Sequence, residues 1–124
     1  MPSGLTPGDA IWMHFPYSDP PKHKLCLCVC AEEDIFLLVS SKAYSAAPAD
    51  SQITLYKEDL AVLSHQSFLD ASKYYDNFPP QEIARGIRDG VCPLSQSARA
   101  RIKHIVGGQR YLIERVKKKI LSNL

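Results

Sequence analysis

Two short runs of this chain, residues 25–30 and 35–39, are apolar at every position, and Ala31 with the acidic triplet Glu32-Glu33-Asp34 separates them. A strand turns successive side chains to opposite faces, so a strand without a polar face must be covered on both sides. The pair therefore predicts a hairpin at the centre of a sheet, flanked by other strands and packed on each face. Residues 9–15 supply a neighbour, with Ile11, Met13 and Phe15 alternating against Ala10, Trp12 and His14. Residues 52–55, 60–63 and 67–73 are read as further strands, although Ser67 would also suit a helix N-cap. Residues 18–23 read as a polar loop and 43–51 as irregular chain.

Past Asn77-Phe78-Pro79-Pro80 the apolar period changes from two to about 3.6. Residues 80–87 predict a short helix or turn. Ser95 stands as an N-cap before the stripe Ala98, Ile102, Ile105 and Val106, and Gly107-Gly108 is expected to close that helix with a left-handed cap. Residues 109–121 predict a second amphipathic helix. Strands first and helices last predict an α+β domain that is mainly β: a small barrel or strongly bent sheet over residues 1–78, then a helical tail of two or three helices over 79–124.

Composition limits the rest. With 124 residues, 45% of them hydrophobic and 23% charged, the chain can bury one domain's core, which excludes a disordered tail or a disulfide-stapled scaffold. No apolar run approaches the ~20 residues of a membrane span, and the first nine residues lack a secretory pattern, so a cytoplasmic protein is expected. Cys26, Cys28 and Cys30 alternate within one strand, where they share a face and cannot bridge without distortion. Their spacing is not that of a zinc knuckle, so they are read as core, with no metal or cofactor implied. The net charge of +2 divides into +7 over residues 99–124 (eight Lys and Arg against Glu114) and −5 over the remainder. That basic end suits a solvated helix or an acidic partner.

The order Gly8-Asp9-Ala10-Ile11-Trp12-Met13-His14-Phe15-Pro16, a polar loop, a basic residue opening an apolar strand, then a hydrophobic strand ending in Ser40-Ser41 resembles the PemK/MazF family. The resemblance covers roughly residues 5–75. It implies an SH3-like barrel, a homodimer with RNA in a groove between protomers, and a toxin-like endoribonuclease that cuts single-stranded mRNA without metal and is held by a cognate antitoxin. Where the family opens its second strand with Arg-Pro, this chain has Lys24-Leu25; lysine keeps the charge without the planar fork that grips phosphate through two parallel bonds.

Such cleavage uses the ribose 2′-hydroxyl as nucleophile and needs a base, an acid and a cation for the phosphorane. On the resemblance, Lys24 is the candidate cation, Ser40 and Ser41 the hydroxyls facing phosphate oxygens, and His23 the acid or base. Tyr17, Lys22, Lys42 and Asp70 are candidate RNA contacts. His14 is read as structural or surface. Trp12, Tyr44, Tyr74 and Tyr75 are read as core or sheet-surface rings that could also receive unpaired bases. Two other readings stay open. One is a catalytically inactive barrel that binds peptide or nucleic acid. The other is a DNA-binding regulator whose second basic helix begins with Gln109 and Arg110.

Overall fold

The computed structural model describes residues 4–16, 22–42 and 49–124. Strand β1 (Asp9–Phe15) pairs with β2 (Lys22–Cys30), and β2 pairs with β3 (Ile35–Ser40) across the acidic turn. After a 3-10 turn at Ala49–Ser51 come β4 (Gln52–Leu55), β5 (Ser67–Tyr75), helix α1 (Pro80–Asp89), the short β6 (Cys92–Pro93), α2 (Gln96–Gly108) and α3 (Glu114–Asn123). All strand pairs are antiparallel, in the order β4-β5-β3-β2-β1-β6. The sheet curls into a half-barrel beside the three helices. The two all-apolar runs do occupy its centre, where β2 from Leu25 onward and β3 as far as Val39 are buried at every position.

Each face of the sheet has its own core. Leu25, Leu27, Leu37, Val39, Ile53, Leu55 and Leu69 pack with Ala98, Ile102, Val106, Val116 and Ile120, so α2 and α3 cover this face. Ile11, Met13, Phe15, Cys26, Cys28, Phe36 and Leu38 pack with Phe78 and Ile83, so α1 covers the other. The cysteines are free thiols, as core packing requires, but they do not all share a face. A bulge between Cys28 and Cys30 sets two β2 residues against one on β3, which turns Cys30 toward the α2 core. Burial pushes the Cys26 and Cys28 thiols up to about 12, far from reactive.

Several local expectations are corrected. Residues 60–63 form turns: Leu60 accepts the Leu63 N–H, and both side chains point into the core from a loop. Lys22 and His23, read as loop, begin β2, because pairing of Phe15 with Lys22 and His14 with His23 extends the ladder. Ser95 caps α2 as expected, its hydroxyl accepting from the Ala98 N–H at 3.1 Å. Gly107 and Gly108 lie inside that helix, neither at positive φ, and Gln109 closes it in extended conformation. The third helix then starts at Glu114 rather than 109, since residues 109–113 are tied to the sheet. The Gln109 amide donates to Ala71 O, while its oxygen accepts from the N–H groups of Tyr111 and Leu112. The segment 79–124 carries the three helices and also contributes β6 beside β1 and much of one core. No helix among the described residues is long and apolar enough to cross a membrane.

Candidate nucleic-acid interface

The start of β2 and the end of β3 lie side by side, with Leu25 paired to Val39. Continued outward, that register sets Lys24 beside Ser40 and His23 beside Ser41. Alternation directs the first pair toward the α1 face and the second toward the α2 face. A groove of about 320 Å³ lies at these strand ends and draws on both pairs. Lys22, His23, Lys24, Ser40, Ser41 and Lys42 all line it. Buried Leu25, Val39 and Leu63 give it an apolar base, and Trp12, Val62, Ser64, His65 and Ser67 complete the lining.

The loop between β4 and β5 supplies one side of the groove because its anchors point elsewhere. Leu60 and Leu63 are buried in the α2 core, which leaves Val62, Ser64 and His65 at the surface. Asp59, 6% exposed, accepts from the Tyr56 N–H at 3.0 Å, the Ser95 hydroxyl at 2.9 Å and the Arg101 guanidinium at 2.7 Å. Burial opposes its charge, but the Arg101, Tyr56 and Ser95 hydrogen bonds prevail and hold the carboxyl below its ordinary range. The Ser67 hydroxyl donates to His65 O at 3.3 Å, fixing the backbone where His65 leaves the sheet.

The electrostatics have one sign. Three lysines and two histidines line the groove, and no Asp or Glu is among the described lining residues. Lys22, His23, Lys42 and His65 are exposed, and Lys24 is half-buried. The His14 and His23 rings meet in a T-shaped arrangement, with centroids 5.7 Å apart. Glu82 on α1 accepts the His14 N–H at 2.7 Å and pairs with Arg85. The Arg85 hydrogen bond foremost, against partial burial, then the His14 N–H and the charges of Arg85 and His23 bring the Glu82 carboxyl down to about 2.

Of the RNA contacts expected from sequence, Asp70 stands apart from the groove. It is buried on β5, where its Oδ1 accepts from the Ser72 N–H at 2.9 Å and the Ser72 hydroxyl at 2.6 Å. There it supports an irregular stretch in which β5 slips against β3 between Phe36 and Leu38. Tyr17 and Tyr44 lie outside the described residues. Gln109 cannot read a base edge as the DNA-binding alternative requires, since its amide is buried and engaged at both ends. The basic end is also partly neutralised: Arg115 and Lys119 of α3 pair with Glu33 of the β2–β3 turn.

Sequence reasoning misses His65, since a strand over residues 60–63 hides the loop that carries it. The available signal was the polar triplet Ser64-His65-Gln66 after two leucines three apart, a pattern that anchors a loop from one side. Among the described residues no three His, Cys, Asp or Glu side chains gather as a metal-binding set. No protein-family model, curated protein or solved structure matches the chain.

Proposed function

We propose that the groove binds single-stranded RNA and cleaves it by internal transphosphorylation, as a toxin-like endoribonuclease of the PemK/MazF type on an SH3-like half-barrel. The observation that carries this reading is a groove lined by three lysines, two imidazoles and four serine hydroxyls, with no carboxylate among the described lining residues. A polyanion is favoured there, and imidazoles are the side chains whose ordinary titration lies near neutrality.

The chemistry uses these groups in a balanced step. One imidazole of His23 and His65 takes the proton of the ribose 2′-hydroxyl, whose oxygen attacks the adjacent phosphorus. The P–O5′ bond breaks, and the other imidazole protonates the departing 5′-oxygen. The products are a 2′,3′-cyclic phosphate end and a 5′-hydroxyl end. Lys24 stabilises charge on the phosphorane, with Ser40 and Ser41 hydroxyls donating to its oxygens. On the same reading the chain works as a homodimer, and an antitoxin protein silences it by covering the groove.

Incubating the purified protein in chelator with a fluorescent single-stranded RNA tests this. Cleavage should leave cyclic phosphate ends and follow a bell-shaped pH profile. Lys24→Ala, His23→Ala and His65→Ala should each reduce the rate by about 10²-fold or more. Intact RNA after prolonged incubation with folded wild-type protein overturns the enzymatic reading. Binding without cutting would favour the inactive nucleic-acid-binding module.

A further inference from the structure

Trp12 is the only tryptophan in the chain, and it lines the groove with 41% of its surface exposed. Tryptophan is ordinarily among the more buried residues, yet β1 alternates exposed Trp12 and His14 against buried Ile11, Met13 and Phe15. Ala10, two positions earlier on the same face, is 1% exposed within the core. Val62, which also lines the groove, is 42% exposed, so a second apolar group lies open in a site otherwise edged by lysines and histidines.

The backbone beneath the indole is held from two sides. Trp12 pairs with Leu25 on β2, and on the opposite edge its carbonyl accepts from Arg85 Nη2 at 3.3 Å. Helix α1 comes so near at Gly86 that a Cβ there would stand 2.9 Å from the Trp12 oxygen, a contact only glycine accommodates without displacement. A ring on such a base loses little freedom when a flat partner covers it.

We propose that Trp12 is the base-stacking platform of the groove, receiving one unpaired RNA base while lysines beside it hold the flanking phosphates. This rests on the groove being an RNA site, and it adds how the strand is selected. A nucleobase stacks on an aromatic face whatever its identity, but only when it is unpaired and free to splay out. The groove thus takes single strands over duplex, with little base preference arising from this contact.

Because the chain has one tryptophan beside six tyrosines, indole emission excited selectively at the red edge reports on this position alone. The probes are a short 2′-O-methyl oligoribonucleotide, which lacks the nucleophile and cannot be cut, an abasic oligonucleotide of equal length, and the corresponding duplex. The single strand should quench the indole, whereas the abasic strand should bind through phosphates with little quenching and the duplex should bind weakly. By anisotropy of a labelled single strand, Trp12→Ala should weaken binding about tenfold to a hundredfold and Trp12→Phe should retain most of it. Equal affinity of Trp12→Ala and wild type, or identical quenching by abasic and base-bearing strands, overturns the proposal. Quenching and weakened Trp12→Ala binding without cleavage of ordinary RNA would leave the platform standing and remove the ribonuclease. Cleavage with Trp12→Ala as active and as tightly bound as wild type would do the reverse, and no binding to any oligonucleotide would remove both.

Discussion

Asp34 closes the acidic turn between β2 and β3 at φ 51, in the left-handed region that costs a residue with a Cβ about 1 kcal/mol. Its Oδ1 is buried without a hydrogen-bond partner among the described residues, which adds a desolvation cost. Asp34→Gly should therefore raise stability by about 0.5–1 kcal/mol, read as a higher midpoint in urea unfolding, because relief of both costs exceeds glycine's added unfolded-state entropy. Glu82 illustrates the opposite case, a carboxylate whose charge the fold favours. Its carboxyl falls from an ordinary 4.5 to about 2, so protonation favours the unfolded chain. The stabilisation is complete above about pH 4.5 and is lost as pH falls toward 2. Glu82→Gln should lower stability at neutral pH by about 1–2 kcal/mol and flatten the acid limb of the stability–pH curve over that window. An unchanged acid limb would show that another carboxylate governs it.

At the scale of elements, α2 and α3 share one core, and a single side chain ties the connection between them to the sheet. Gln109 links the sheet at Ala71 to the backbone of residues 111 and 112, and Lys117 donates to its carbonyl at 2.7 Å. Gln109→Ala leaves a buried carbonyl and two N–H groups without these partners, which should cost about 1–3 kcal/mol in chemical denaturation. Amide exchange should quicken first in residues 109–113, where a structurally idle glutamine would leave it unaltered. The contact of α3 with the β2–β3 turn is different in kind, because Glu33, Arg115 and Lys119 are solvent-facing. Glu33→Ala should have a small effect on melting temperature that disappears at high salt. Helix α1 covers the edge of β1 next to its pairing with β6: Glu82 takes the His14 N–H and Arg85 reaches the Trp12 carbonyl, groups that another strand could otherwise pair.

For the whole molecule, removal of residues 79–124 would take Leu94, Ala98, Ile102, Val106, Leu112, Val116 and Ile120 out of a core that also buries β2, β3, β4 and β5. The remaining sheet should lose its near-ultraviolet circular dichroism and aggregate, and a soluble, cooperatively unfolding fragment would contradict this reading of the core. A role for the basic end is therefore better tested by charge reversal at exposed Arg110 and Lys118 than by truncation. From its residues alone the chain determined the central hairpin, the extent of β1 and β4, the N-cap at Ser95 and the α+β class, because period and capping are local and burial on both faces leaves strands no polar side. The resemblance singled out Lys24, Ser40 and Ser41 as candidates, and all three line the groove. Tertiary structure alone decided that residues 60–63 form a loop, that Asp70 serves β5 rather than the groove, that Cys30 turns to the other face, and that Trp12 and His65 join the lysines. These outcomes depend on where a leucine anchor or a bulge meets distant chain, and such long-range pairing leaves no period in the sequence.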